Sequence, residues 1–242
     1  DWGTSTAIET NRDAMSIILS RLPMSLKINV IAVVIAVPLG FAFGILAALK
    51  KNTWIDNTLS TLTMVFISVP SFVIISFLMI WLAYGAKVLP SQWPESTAPA
   101  STQAAAYVIP VMSLCFGTVA SFTRYTRAEL CDIMASDFLL LARTKGLTRP
   151  QTVIRHALRN SMVPLVPMII GEFIGILSGS MILENLYGIP GIGDLFIKAI
   201  NSKDYNVVMV DMAVYTMISL FATLLVDLSY GIVDPRIRMG AR

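Results

Sequence analysis

Five long, mostly apolar runs constrain this chain more than any other feature of its sequence. A helix needs about 20 apolar residues to cross the roughly 30 Å hydrocarbon layer of a membrane. In lipid, only helices and closed barrels satisfy their own backbone hydrogen bonds, and these runs are too long for barrel strands. We therefore predict an all-α, polytopic membrane helical bundle, with spans at about 25–49, 58–84, 105–123, 162–183 and 206–233.

The composition places the chain in the membrane class, and the length of the apolar runs excludes a soluble all-helical protein. Of the 242 residues, 55% are hydrophobic and only 14% are charged, whereas a soluble domain carries about 25% charged residues. Prolines fall inside three of the runs, at Pro70, Pro110, Pro164 and Pro167. Proline in a membrane helix commonly produces a kink, so we interpret these four as kinks and not as helix ends.

The basic residues predict which side of the membrane each loop occupies. With five spans, the loop at Lys50, the loop 124–161 and the tail 234–242 share one side, which holds twelve of the 18 lysines and arginines. Because that excess marks the cytoplasmic side, we expect the N-terminus outside and the C-terminus inside. Topology alone explains the basic loop, so we predict no nucleic-acid partner. No signal-peptide pattern follows Asp1, and we expect that an N-terminal segment is missing from this numbering.

The loop 124–161 has the pattern of a folded structure. Its apolar residues recur at three- and four-residue steps, as on one helical face: Leu130, Ile133, Met134, Phe138, Leu141 and Ala142. Gly146 can end such a helix. Thr148 and Gln151 then form a capping box, which predicts a second helix from about Arg149 to Asn160. Two short helices that meet at a glycine would make a cytoplasmic projection suited to docking a partner.

The sequence of this loop resembles a known motif. The run ASDFLLLARTKGLTRPQTVIRHALRNSMVP resembles the "EAA" loop of binding-protein-dependent ABC importer permeases. It is most similar to the form in the B-type subunit of oligopeptide and dipeptide permeases. Leu140 and Leu141 replace the glutamate and first alanine of the generic motif, which favours the peptide branch. The segments 184–195, 227–238 and 1–5 also resemble that family, so the resemblance covers essentially the whole chain.

The resemblance implies a single permease transmembrane domain over residues 1–242, in a family with six spans whose first is missing here. It implies a bacterial plasma-membrane subunit that works with a second, C-type permease subunit, two ATP-binding subunits and an external peptide-binding lipoprotein. ATP and magnesium would be bound by the ATPase subunits, so we expect no cofactor in this chain. The implied ATPase-coupling residues are Asp137, Ala142, Arg143, Lys145, Gly146, His156, Arg159 and Asn160. The implied cargo is an oligopeptide or dipeptide, and nickel or a nickel chelate is the alternative within the same family.

The chain lacks the residue patterns of an enzyme. It has one histidine and no paired metal-ligand motif, so we predict neither catalysis nor a metal site. Acidic residues within spans commonly face protein or a cavity, which makes Glu172, Asp211 and Glu184 candidates for the translocation path. The alternative is that they are hydrogen-bond partners between subunits or residues at the membrane interface. A channel and an integral-membrane enzyme are the rival classes, but the first needs a selectivity ring and the second needs clustered polar residues at one membrane face.

Overall fold

A computed structural model describes residues 2–137, 139, 149–152, 157–179 and 181–233. Apart from one antiparallel bridge between Thr4 and Asp13, the regular structure of these residues is helical, which confirms the predicted all-α class. The helices, in chain order, are α1 (Ala14–Leu49), α2 (Trp54–Ser68), α3 (Ser71–Leu78, continued by a π-helical segment at Met79–Gly85), α4 (Ala100–Ala106), α5 (Val108–Met134), α6 (Arg149–Thr152), α7 (Leu158–Gly179), α8 (Met181–Tyr187), α9 (Ile192–Asn201) and α10 (Tyr205–Val233).

Within the described part of the chain, three helical stretches are long and apolar enough to cross a membrane. They are Ala14–Leu49, Ala100–Met134 and Tyr205–Ser229. A fourth is added if α2 and α3, which are separated by a sharp bend, form one broken span. The predicted run 162–183 corresponds largely to α7, and the total of five spans stays a prediction.

The first span begins earlier than the apolar pattern predicted, at Ala14 and not near residue 25. Its added turns are stabilised by protein contacts, since Ala14, Ile17 and Ile18 are fully buried in a cluster with residues of α9 and α10. Those turns therefore have a partner inside the protein and need no long apolar run.

The interpretation of Pro70 as a kink was wrong, because α2 ends before it and α3 begins after it. Pro70 has extended backbone angles (φ −61°, ψ 145°) and no N–H to continue the helical ladder. Its carbonyl instead accepts hydrogen bonds from the amides of Val73 and Ile74, at 3.0 and 3.2 Å. Pro164 and Pro167, by contrast, lie inside α7 as predicted.

The third span, Ala100–Met134, is longer at both ends than predicted, and its extension shortens the predicted loop 124–161. α5 continues to Met134, so Leu130, Ile133 and Met134 belong to this helix and not to a separate coupling helix. The predicted second helix of the loop begins where expected, at Arg149. Its predicted end, near Asn160, instead lies in α7, which starts at Leu158.

The chain divides into two units, and four long helices contribute residues to both. One unit comprises residues 1–34, 69–116 and 173–222. A buried cluster in this unit joins the start of α1 to α9 and α10 through Ile17, Leu195 and Val210, among others. The other unit comprises residues 35–68, 117–172 and 223–242, and it contains the flanks of the predicted coupling loop.

Candidate coupling site and buried polar groups

A small buried cluster lies where the predicted coupling loop joins the helices. We call it the base cluster, and its residues are Ala48, Leu130, Cys131, Leu139 and Ala157. It brings the end of α1 and the end of α5 together with one residue from each side of the loop. Leu139 is 1% exposed and Ala157 is fully buried. Leu139 and Ala157 are therefore packed against the ends of two long helices.

Most of the predicted coupling residues lie outside the described residues. These are Ala142, Arg143, Lys145, Gly146 and His156. Asp137 is exposed next to the base cluster, and Asn160 is exposed in the first turn of α7. Arg159 belongs to the same turn. The two residues with described surroundings are therefore accessible to a partner.

A buried ion pair connects α2 to α5 within the same unit. The Arg127 guanidinium donates from Nε to Asp56 Oδ1 and from Nη2 to Asp56 Oδ2, the latter at 2.8 Å. The Asp56 side chain is 1% exposed and that of Arg127 is 30% exposed. The Asn52 amide also donates to Asp56 Oδ2, at 2.8 Å. Two parallel charge-assisted hydrogen bonds hold the arginine in one orientation.

The ion pair was missed by the sequence analysis, which counted Arg127 only as a basic loop residue. One signal could have indicated it. Asp56 is a lone acidic residue at the start of an apolar segment, and such a carboxylate normally has a cationic partner. Identifying that partner required the fold, because Arg127 lies 71 residues further along the chain.

Two glycines allow α1 to approach α5 closely beside this pair. A β-carbon added at Gly40 would lie 2.5 Å from Phe122 Cβ, and one added at Gly44 would lie 2.5 Å from Thr126 Cβ. The Thr123 hydroxyl also donates to the Gly40 carbonyl, at 3.3 Å. Close backbone approach at small residues is a common packing mode in membrane bundles.

The three candidate residues for the translocation path have different environments. Glu172 accepts a 2.6 Å hydrogen bond from the hydroxyl of Thr118, which is 4% exposed. Glu184 is 1% exposed and accepts from the amides of Gly193 and Asp194, at 2.8 and 3.3 Å. The Glu184 carboxylate thus caps the start of α9, where negative charge is stabilised by the helix dipole.

Asp211 lies in α10, and its side chain is fully buried. Neither of its carboxylate oxygens has a hydrogen-bond partner among the described residues. It lies within electrostatic range of Glu184 in the same unit. A translocation-path role for these three carboxylates stays a prediction, and the contacts of Glu184 support a structural role for that residue.

The turn before α9 depends on two glycines. Gly188 has φ +71°, a conformation that residues with a β-carbon rarely adopt. A β-carbon at Gly191 would meet the carboxylate of Glu184 and the hydroxyl of Ser25. The same Ser25 hydroxyl accepts from the Ile192 amide at 3.0 Å, so the turn closes against α1.

Asp204 fastens the N-terminal segment to the start of α10. Its Oδ2 accepts the Ser5 hydroxyl at 2.6 Å and the amides of Thr6, Ala7 and Ile8 at 3.0–3.2 Å. Burial raises the pKa of Asp204, but these four hydrogen bonds outweigh burial and lower the pKa to about 2. They favour the ionised form because every donor points at the carboxylate.

The described residues contain no group of three or more histidine, cysteine or acidic side chains that could hold a metal ion. The described architecture is instead that of a helical, membrane-embedded protein with a buried cluster at the ends of two long helices. The class defined by these features is a polytopic membrane protein whose distinctive element is the junction between the predicted coupling loop and those helices.

Comparison with known sequences specifies the class further. The profile of the family described as "Binding-protein-dependent transport system inner membrane component" matches residues 40–239, and the chain belongs to this family. Its role is thus that of a transport permease in the membrane and not that of an enzyme. As an inner membrane component of such a system, it functions with further components.

Relatives match along nearly the whole chain. The dipeptide transport system permease protein DppB of Lactococcus lactis subsp. cremoris is 35% identical over 240 residues, which is 99% of this chain and 76% of the relative. The dipeptide permease DppB of Bacillus subtilis is 33% identical, over 99% of this chain and 75% of the relative. The oligopeptide permease OppB of Escherichia coli K12 is also 33% identical, over 92% and 71%.

Solved structures share the fold at lower sequence identity. A crystal structure of an amino acid ABC transporter with histidines matches with a TM-score of 0.65 and 21% identity, covering 89% of this chain and 93% of the other. An inward-facing structure of the MetNI methionine ABC transporter matches with a TM-score of 0.63 and 17% identity, covering 94% and 98%. These similarities confirm the ABC-permease-like fold.

Proposed function

We propose that this chain is a permease subunit of an ATP-driven importer that carries oligopeptides or dipeptides across the bacterial plasma membrane. The observation that carries the cargo assignment is that relatives named as dipeptide and oligopeptide permeases match at 32–35% identity over nearly the full chain. Two separate subunits would bind ATP and magnesium, a C-type permease would complete the translocation path, and an external lipoprotein would deliver the peptide.

The base cluster supports a coupling role for the loop that follows α5. In the proposed mechanism, ATP binding closes the two ATPase subunits and displaces the loop, with Asp137, Gly146, Arg159 and Asn160 among the residues at the docking surface. Leu139 and Ala157 would pass that displacement to the ends of α1 and α5. The ATPase subunits can drive the conformational change of the permease only if their closed state binds one permease conformation more tightly than the other.

The cargo assignment is tested by uptake in a strain that depends on this transporter. We expect growth to be inhibited by a toxic tripeptide analogue and restored by excess trialanine. The within-family alternative predicts that growth under nickel starvation depends on the transporter instead, while the peptide has no effect. Replacing Gly146 with proline should abolish peptide uptake while the chain still inserts, because the turn that the sequence predicts at Gly146 would be lost. Unchanged uptake would contradict the docking role.

The proposed orientation is tested by cysteine labelling. Cys131 is a poor probe because it is 6% exposed in the base cluster, so Asp137→Cys and Lys87→Cys in a background without Cys115 and Cys131 are better variants. Asp137 and Lys87 are both exposed. A membrane-impermeant maleimide should label Lys87→Cys in intact cells and Asp137→Cys only after permeabilisation. The reverse pattern would invert the topology.

A further inference from the structure

The unit that contains the start of α1 also has a crevice of about 450 Å³, a size within the usual range of small-molecule sites, about 300–1,000 Å³. Its walls come from α1, the segment before α4, the α4–α5 region and the turn after α8. The lining residues used below are Trp93, Glu95, Gln103 and Tyr107. The lining residues belong to the unit that does not contain the predicted coupling loop.

The walls of the crevice are held by specific contacts. The Trp93 amide donates to the Tyr187 carbonyl at 2.8 Å, and the Tyr187 hydroxyl donates to the Pro90 carbonyl at 2.8 Å. Gln103 Nε2 donates to the carbonyls of Ser96 and Ala98, both at 2.9 Å. These bonds hold the segment 90–98 in one conformation, so the crevice is formed before any ligand arrives.

An aromatic pair lines the crevice together with Glu95, and Lys27, which is not itself a lining residue, contacts one ring of that pair. The rings of Trp93 and Tyr107 meet edge to face, with centroids 4.9 Å apart. The Lys27 ammonium lies 4.7 Å from the Tyr107 ring centroid, and the exposed Glu95 carboxylate lines the crevice itself. Neither Lys27 nor Glu95 forms an ion pair with another described residue. A ligand that complements this arrangement carries an ammonium, a carboxylate and an apolar portion.

We propose that this crevice binds a short peptide by its two ends, with the amino terminus at Glu95, the carboxylate at Lys27 and side chains against the Trp93–Tyr107 wall. The proposal rests on the proposed peptide-import function and adds a site at which the permease itself holds cargo. It assigns the recognition to groups that every free peptide carries, so it predicts little dependence on peptide sequence.

The test uses the assembled permease and ATPase complex without the binding protein, with trialanine as the probe. Binding should change the tryptophan fluorescence, and Trp93→Phe should remove the change. Glu95→Gln and Lys27→Gln should each weaken apparent trialanine affinity by about threefold to fivefold, the upper part of the range expected for an exposed ion pair. Lys27→Arg should retain affinity. Lys87→Gln is the matched control and should have no effect, because it removes an exposed lysine for which the described residues show no contact with the Tyr107 ring.

Chemically blocked peptides distinguish recognition of the ends from a general loss of structure. Glu95→Gln should not weaken binding of N-acetyl-trialanine, and Lys27→Gln should not weaken binding of trialanine amide, because the matching ligand charge is already absent. Equal losses for free and blocked peptides would overturn the proposal. So would a fluorescence change that requires phosphatidylethanolamine vesicles and not peptide, since that would make the crevice a lipid site.

Uptake by the complete transporter distinguishes a failure of the crevice proposal from a failure of the proposed import function. If the wild-type assembly takes up trialanine and both charge variants bind and transport it normally, the crevice proposal fails while the import function stands. If the wild-type assembly takes up no peptide at all, the proposed function fails, and the peptide site fails with it.

Discussion

Removing either partner of the Asp56–Arg127 ion pair should destabilise the protein, but by unequal amounts, because the two side chains differ in exposure. Asp56 is 1% exposed and Arg127 is 30% exposed. In Arg127→Met the buried carboxylate keeps only the Asn52 amide at 2.8 Å and a long contact to Ser60 at 3.4 Å. Breaking a buried pair typically costs about 3–5 kcal/mol, and we expect about 3–4 kcal/mol here.

The reverse variant, Asp56→Asn, leaves a cation that can still reach polar surroundings through its exposed portion. We therefore expect it to cost less, about 1–2 kcal/mol, since partly exposed charges lose less when a partner is removed. For a chain of this size, 1 kcal/mol corresponds to a shift of about 2–4 °C in the melting temperature. Arg127→Met should thus melt about 6–16 °C below the wild type and Asp56→Asn about 2–8 °C below it.

The assay is thermal unfolding of the purified protein in detergent. The quantity measured is the amount of intact protein that elutes from a column after heating. The double variant Asp56→Asn/Arg127→Met should lose less than the sum of the two single losses, by at least about 1 kcal/mol, because both changes remove the same interaction. Equal single effects that add in the double variant would refute the reasoning. They would mean that the two side chains contribute through separate contacts.

Two further variants test other contacts. The pKa of Asp204 is lowered from 3.8 to about 2, so the ionised carboxylate stabilises the folded state by about 2 kcal/mol above pH ~4. This contribution is lost as the pH falls from about 4 to 2. Asp204→Asn should therefore make stability depend less on pH in that range. Ser5→Ala should reduce the same effect, and an unchanged acid profile in Asp204→Asn would contradict it. Gly44→Ala should lower the melting temperature because its methyl group would lie 2.5 Å from Thr126 Cβ, at a cost of about 1–3 kcal/mol. Gly117→Ala is the control; nothing lies within 4 Å of that position, so stability should be unchanged or rise by up to about 1 kcal/mol.

The helices whose bounds could be predicted from the sequence are those expected to face lipid. The last span was predicted at 206–233 and is observed at Tyr205–Val233, because a helix that faces lipid must be apolar over its whole crossing length. The start of α1 was missed because Ile17 and Ile18 are buried against other helices. Helical turns that pack against protein need apolar residues at only some positions. The sequence of such turns is therefore hard to distinguish from that of a loop.

Local sequence also failed to distinguish one proline from another. Pro70 separates two helices, whereas Pro164 and Pro167 lie within one. All three lack a backbone N–H, and the outcome depends on whether the surrounding structure satisfies the released groups. The ion pair of Asp56 shows the same limit for the candidate site, since its existence could be suspected from one residue but its partner could not be identified.

Leu139 and Ala157 are both buried in the base cluster. The segment between them therefore begins and ends at the same buried cluster. A change in the length of that segment then carries the weak entropic penalty of a longer or shorter closed loop. On the proposed coupling role, we expect that a change of length alters docking of the ATPase subunits before it alters the packing of α1 and α5.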